Sequence, residues 1–472
     1  MKLTQPDPVA MVIFGASGDL TRRKLLPALF HLHLEGMLPE ALAMVGYART
    51  EMTSEGFRAH AKEATREFCR CEVKEDAWAE FERHLSYVAG RFDDEGSFGT
   101  LRGHLERLDL EHGTEGNRFY YCATPPEAYA DIVSRLGEEE MTSGARIVIE
   151  KPFGSDLKSA RDLHRAVGEA FDEEQVFRID HYLGKETVQN ILAFRFANAM
   201  WEPLWNHRFV DHVQLTVAED IGIEGRGRFY ERTGATRDMV QTHLLQVLTF
   251  LAMEPPPAFE ARALLDEKVK VLRSIRPIEA ADVVRGQYEG YRDEEGVGRD
   301  SDVETFVALR LEIDNWRWAG VPFFLRTGKR LAAKRAEATI QFREVPHLLF
   351  ERAGVEMMEP NRLTLRIQPD EGISLSFAVQ RPGIGLDIGR RALEFDYDEA
   401  FATPLVEAYE LLLLEAMRGD HMLFTRWDGV ERAWEILQPS TDDPPPLETY
   451  ERGSWGPKAA DDLIAPRSWY LC

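Results

Sequence analysis

The chain has 472 residues, 44% hydrophobic and 29% charged, which suits a soluble globular protein too long for a single core. Its 81 acidic side chains outnumber 57 basic ones, for a net charge of −24. That excess repels phosphate backbones and anionic lipid, so no nucleic acid and no membrane is expected as a partner, while a locally basic pocket for a phosphorylated small molecule stays open.

Cys69, Cys71, Cys122 and Cys472 make no disulfide framework in a chain this long, and the C-x-C pair has no second pair at zinc spacing, so no metal site is expected. The N-terminal apolar run is too short for a secretory signal and no stretch reaches membrane-spanning length, which points to a reducing cytoplasm.

In chain order, Val9 to Phe14 is continuously apolar, as in a strand buried on both faces. A glycine turn follows, then Leu25, Leu29 and Leu32 recur at helical spacing up to Gly36, a C-cap candidate. "ALAMVGYAR" is a second strand, followed by a highly charged helix. "LSYVAGRFDD", "NRFYYCATPP" and "ARIVIEKPFG" read as further strands separated by helical segments such as "TLRGHLERLDL". Strands alternating with helices predict a parallel, doubly wound α/β sheet of Rossmann-like type over residues 1–179.

Over residues 180–472 the texture becomes α+β. "DHVQLTVAED", "FVALRLEIDNWRWAGVPFFLRTGKR", "EATIQFREV", "NRLTLRIQPDEGISLSFAVQ" and "RALEFDY" predict a large, mostly antiparallel sheet with helices over 238–253 and 404–417 packed on it. The runs of three prolines at 255–257 and 444–446 are breaks inside this half.

Gly15, Ala16, Ser17, Gly18, Asp19 and Leu20 lie between a strand and a helix, where backbone N–H groups and a helix N-terminus cradle a phosphate; the plainer alternative is a tight turn that needs glycine. At the end of the second strand an NAD-binding fold usually carries an acid for the ribose 2′-hydroxyl. Arg49 offers a cation there, which favours a 2′-phosphate and hence NADP. Lys151 ends a strand before Pro152, facing the crevice where such sheets bind ligands, and the isomer of that proline is left open.

"RIDHYLGKE" sets Asp180 beside His181. Neighbours on a strand face opposite sides and neighbours on a helix diverge by about 100°, so the two do not make a direct acid–base dyad. If a helix begins here, Lys185 shares the face of His181, and with Tyr182 the pair suits a phosphate monoester. In "RDMVQTHLLQVLTFLAME", His243 sits on an apolar helix. It is either a satisfied core residue or a buried base held by a carboxylate such as Asp180, while Asp238, five residues upstream, is placed to hydrogen-bond a polyol or orient the helix start.

Together, "GASGDLTRRKL", "GYAR", "EKPFG", "RIDHYLGKE", "RDMVQTH" and "RTGKRLAAK" resemble the glucose-6-phosphate dehydrogenase family in order and spacing. The resemblance implies oxidation of glucose 6-phosphate at C1 with NADP, or in some members also NAD, and no metal. It implies His243 as the base, Asp180 as the carboxylate that orients it, and His181, Tyr182 and Lys185 as the phosphate grip. Glu219 and Asp238 match sugar-hydroxyl ligands, Lys329 and Lys334 match substrate lysines, and Lys151 matches the junction of substrate and cofactor. Gly15 to Thr21, Arg49, Arg91, Phe92 and Pro125 fall in coenzyme-binding segments, and Arg22 and Arg23 are candidates to join Arg49.

The first domain is then the dinucleotide-binding one, and the second binds substrate and builds a homodimer or homotetramer. Thr242 and Phe92 stand where some relatives have asparagine and tyrosine. Some animal relatives hold a second, structural NADP through basic and aromatic residues; with Ile373, Ser374 and Ser376 in that region, none is expected here. Oxidoreductases of unphosphorylated sugars are the alternative class, but they would have little use for His181 plus Lys185. An inactive, NADPH-sensing relative would lack one of Asp180, Lys151 and His243.

Overall fold

The computed structural model describes residues 5–350, 358–401 and 406–471; residues 404 and 405, the start of the helix predicted over 404–417, lie outside them. The described part of that helix runs Ala408–Arg418, and it packs in the core of the parallel-sheet unit rather than on the large antiparallel sheet as expected. The chain divides into two compact units. The first comprises residues 1–185, 257–265 and 406–431, and the second residues 186–256, 266–405 and 432–472.

In the first unit β1 (Val9–Phe14), β2 (Leu42–Ala48), β3 (Leu85–Ala89), β4 (Arg118–Cys122), β5 (Arg146–Ile149) and β6 (Val176–Ile179) form a parallel sheet in the order β6-β5-β4-β1-β2-β3. Every residue of β1 and β2 is buried, which is why both read as unbroken apolar runs. A short strand, Phe424–Thr425, adds antiparallel to β6. Helices cross between the parallel strands, among them Ser54–Phe68, whose N-cap Thr53 accepts the Gly56 N–H at 3.1 Å.

The predicted first helix starts as a π-turn, Thr21–Leu25, and continues as an α-helix, Leu26–Leu34, with Pro27 in its first turn where the ring is tolerated. The cysteines differ from expectation in one bond: Cys69 and Cys71 are joined with S–S 2.14 Å, two positions apart. So short a loop restrains little of the unfolded chain.

In the second unit β7 (Val210–Ala218), β8 (Val283–Tyr288), β9 (Phe306–Glu312), β10 (Pro322–Gly328), β11 (Arg335–Phe342), β12 (Arg362–Gln368), β13 (Gly372–Gln380) and β14 (Ile388–Asp396) join strand Leu447–Tyr450. Together they make a nine-stranded sheet in the order β14-β13-β12-β11-β7-β10-β9-β8 and then Leu447–Tyr450. Most pairings are antiparallel; β7 with β10 and β8 with Leu447–Tyr450 are parallel.

The predicted helix 238–253 is a π-helix, Thr236–Leu244, that continues as an α-helix, Leu245–Ala252. Its last carbonyls, which have no partner inside a helix, are met by buried side chains. Arg195 donates to the carbonyls of Phe250 and Met253 at 2.8 Å, Trp205 Nε1 to Leu251 at 2.7 Å, and Trp318 Nε1 to Ala252 at 2.8 Å. Among the described residues no helix is long and apolar enough to cross a membrane.

Burial holds His33, His84, His104, His164 and His421 of the first unit below the ordinary histidine value of 6.5. The unfolded chain takes up these protons near 6.5 while the folded chain still excludes them, so this contribution to stability is lost as pH falls from there toward the depressed folded values. We expect Tm to drop between pH 7.5 and 5.5, and the drop to shrink in a His84→Gln, His104→Gln double variant. An unchanged slope would contradict this assignment.

Candidate active site

The first unit's candidates lie where its parallel strands end. Gly15 follows β1, Arg49 follows β2, Arg91 lies just beyond β3, Pro125 beyond β4, Lys151 beyond β5, and Asp180 follows β6. The strand order reverses between β1 and β4, the point at which a doubly wound sheet opens a crevice for a ligand. Gly15 sits at that point with φ +83°, and a Cβ there would lie 2.3 Å from the Ala123 carbonyl oxygen, so the turn needs glycine for space as well as conformation.

The turn is held from β2. The N–H groups of Gly15 and Ala16 donate to the Tyr47 carbonyl at 2.8 and 3.3 Å, and Gly18 N–H donates to Gly15 O at 2.9 Å. Ser17 Oγ lies 3.2 Å from Thr50 Oγ1. Asp19 accepts from Arg23 at 2.7 Å, and Leu20 leads into the helix.

Phe92 packs edge-on to Phe14 at 6.3 Å, beside Tyr47 at 6.0 Å. Tyr47, its phenol pushed up to about 12 by burial, donates to the Arg91 carbonyl. The Arg91 guanidinium pairs with Asp93 at 2.9 Å.

Arg49 is exposed and makes no ion pair among the described residues. Arg22 pairs instead with Glu67, Arg23 with Asp19, and both guanidiniums stack over Phe68 at 5.4 and 5.2 Å. Of the three arginines, Arg49 alone makes no ion pair among the described residues.

The Lys151–Pro152 peptide is cis. Just before it, Glu150 is buried, accepts from Tyr121 Oη at 2.6 Å, and offers its own carbonyl to Tyr129 Oη at 2.9 Å. Burial raises the Glu150 carboxyl above the usual range, against the opposing hydrogen bonds of Tyr121 and Tyr409.

The stretch after β6 departs from one expectation. No helix starts at His181: residues 181–184 form turns, and the helix is Glu186–Phe196. The i,i+4 argument for Lys185 therefore fails. A carboxylate-capped turn takes its place, in which Asp180 Oδ1 accepts the Tyr182 N–H at 3.0 Å and Asp180 O accepts the Leu183 N–H at 3.0 Å.

The turn still gathers the three side chains. Lys185 Nζ lies 4.3 Å over the Tyr182 ring, and the His181 ring meets Tyr182 edge-on at 5.2 Å. Asp180 and Tyr182 are buried while His181 and Lys185 are partly exposed, so an imidazole and an ammonium are gathered at one buried ring.

In the second unit, strand register assembles the set. β7 and β10 pair in parallel with Ala218 opposite Gly328, so the next residues, Glu219 and Lys329, emerge side by side and form an ion pair. Lys329 is 4% exposed, and its Nζ also lies 5.1 Å from the Tyr230 ring. Burial first, then the charges of Asp238, Glu304, Tyr450 and Glu219, raises the Tyr230 phenol well above its usual value.

Asp238 and His243 lie on the π-helix, a form of helix frequent at functional sites. Asp238 is in its first turn, and His243 is fully buried. Thr242 Oγ1 donates to the Asp238 carbonyl at 3.1 Å. Lys334 is exposed in the loop between β10 and β11, apart from the Glu219–Lys329 pair. On β13, buried Ser374 donates to Glu394 at 2.8 Å and Ser376 accepts from Arg390. Tyr230 and Glu304 were missed by sequence reading; the glycine of "RTGATRDM", just ahead of the helix, was the available signal.

Residues 12–190 match the glucose-6-phosphate dehydrogenase NAD-binding domain and residues 192–470 its C-terminal domain. A glucose-6-phosphate 1-dehydrogenase 2 of Mycobacterium tuberculosis is 44% identical over 98% of this chain and 94% of its own length. The glucose-6-phosphate 1-dehydrogenase of Chlamydia pneumoniae is also 44% identical, over 98% of this chain and 96% of its own. A solved glucose-6-phosphate dehydrogenase in complex with glucose 6-phosphate superposes with TM-score 0.91 at 36% identity, covering 99% of each chain. A levoglucosan dehydrogenase, at TM-score 0.50 and 12% identity over 93% of this chain and 97% of its own, shares the fold alone. With both domains matched in order along nearly its whole length, the chain belongs to the glucose-6-phosphate dehydrogenase family.

Proposed function

We propose that this protein oxidises D-glucose 6-phosphate at C1 to 6-phospho-D-glucono-1,5-lactone, the first step of the pentose phosphate pathway. The observation that carries the substrate is the turn after β6, where His181 and Lys185 flank the Tyr182 ring. A partly exposed imidazole and ammonium gathered at one buried ring suit a phosphate monoester and have no counterpart need in an unphosphorylated sugar. Family membership supports the same reading.

In this mechanism His243 removes the proton of the C1 hydroxyl, and Asp180 orients the imidazole and offsets the charge it gains. Glu219 and Asp238 accept hydrogen bonds from sugar hydroxyls, and Lys329 and Lys334 bind the substrate. His181, Tyr182 and Lys185 hold its phosphate, so the reacting carbon is located from its far end. Lys151 stands where substrate and coenzyme meet.

NADP, bound in the first unit, would supply the acceptor for the hydride that leaves C1. In support, the glycine turn lies between β1 and the helix that follows, where a phosphate is favoured, and exposed Arg49 suits a 2′-phosphate. By this division residues 1–179 form the coenzyme domain and residues 180–472 the substrate and assembly domain.

An absorbance assay for reduced nicotinamide, run with glucose 6-phosphate and with glucose, and with NADP and NAD in parallel, tests the reading. We expect strong preference for the phosphorylated sugar and a higher kcat/KM with NADP. Equal efficiency on glucose would refute the substrate, and equal efficiency with NAD would refute the coenzyme preference.

A homodimer or homotetramer built on the large sheet is part of the same reading. In support, outer strand β14 carries exposed Leu393 and Phe395, 61% and 36% accessible. Light scattering that finds only monomer at micromolar concentration would overturn this. The proposed location is the cytoplasm; activity recovered outside that fraction would contradict it.

A further inference from the structure

We propose that Glu304 is a positioning residue for this reaction: it fixes the first turn of the helix that carries Asp238 and His243. The inference rests on His243 as the base and Asp238 as a sugar ligand. Glu304 lies two residues ahead of β9, and as a buried carboxylate, 7% exposed, it needs a structural reason to be there.

The reason is at the helix start. The Glu304 carbonyl accepts the Ala235 N–H at 3.0 Å, and its Oε1 accepts the Thr236 N–H at 3.0 Å. One residue thus satisfies two consecutive donors that the helix leaves without internal partners. The placement of a negative group at a helix N-terminus is favourable as well.

The chain just before these donors is shaped to let the carboxylate in. Gly234 has φ +60° and ψ 177°, a conformation close to exclusive to glycine, and it breaks helix Gly227–Ala235 from the π-helix that follows. A Cβ at Gly234 would lie 2.8 Å from Glu304 Oε1, so the kink and the carboxylate occupy one fitted space.

Glu304 is held in turn by Arg285, whose Nη2 lies 3.4 Å from Oε2 and 2.6 Å from the Asp302 carbonyl. The next residue extends the link: the Thr305 carbonyl accepts the Lys329 N–H at 2.9 Å. The segment 304–305 therefore ties the start of the Asp238–His243 helix to the strand end that presents Lys329. A shift of that helix start would move His243 and Asp238 relative to Lys329 and Glu219, and displacements near 1 Å cost about 100-fold in rate.

The test compares Glu304→Gln, which keeps an oxygen acceptor for Thr236, with Glu304→Met, which has similar bulk and no such acceptor. Both remove the charge facing Arg285, so their difference isolates the hydrogen bond. For E304M we expect kcat with glucose 6-phosphate to fall about 10- to 100-fold, with KM for NADP unchanged. E304Q is expected to recover most of the kcat. Should E304M not fold, Glu304→Asp keeps the charge but draws the oxygen back by about 1.5 Å, and it carries the same expected loss.

A folded E304M or E304D with wild-type kcat and KM, or an E304Q no better than E304M, would overturn the proposal. A wild-type protein that does not turn over glucose 6-phosphate, or a His243→Asn variant that keeps its rate, would instead overturn the reading beneath it.

Discussion

Replacement of His243 by asparagine is expected to lower kcat by about 10²- to 10⁴-fold while glucose 6-phosphate still binds, the usual contribution of a positioned general base. Asparagine fills much of the space of the imidazole and retains hydrogen-bonding groups, but its amide takes no proton at neutral pH. The side chain is fully buried, so bulk water does not readily substitute for it. The π-helical turns that place it are held by backbone hydrogen bonds and by Arg195, Trp205 and Trp318 at the far end of the continuing helix, none of which the substitution touches. Steady-state kinetics with substrate binding measured by calorimetry separates the two quantities. A kcat within tenfold of wild type would remove His243 from the role of base.

For His181→Asn the expected loss is in binding instead. A charge-assisted hydrogen bond contributes about 1.5–3 kcal/mol, so KM for glucose 6-phosphate should rise about 10- to 100-fold with kcat at saturation near wild type. The turn itself should survive, because it is set by Asp180 Oδ1 on the Tyr182 N–H and by Gly184 packed against the Ala408 carbonyl and Leu412. Lys185 remains over the Tyr182 ring to hold part of the phosphate. An equal loss of turnover at saturating substrate would refute the division of labour between the anchor and the base.

Much of the first unit was legible because its signals are local. An apolar run buried on both faces, a glycine turn and helical spacing follow one another within β1 and the helix after it, and the chain needs no distant partner to declare them. The second unit's strands were legible by alternation, although the stretch 306–330 resolves into β9 and β10, and 361–380 into β12 and β13. The short strand Phe424–Thr425 carried no signal, since two residues are too few to show a period and their pairing with β6 is purely long-range. The helix expected at His181 starts at Glu186 because Asp180 caps a turn with its own side chain, a local hydrogen bond that competes with helix formation.

By itself the sequence determined the types of most elements and the family, because both are carried by neighbours in the chain. Tertiary structure alone decided which distant groups meet. The parallel register of β7 with β10 sets Glu219 beside Lys329, 110 positions apart. The fit of Glu304 against Gly234 brings a carboxylate from the segment before β9 to the start of the Asp238–His243 helix. Neither pairing follows from periodicity, because register and close packing depend on what the rest of the sheet buries, and a shift of one residue would turn each side chain to the other face.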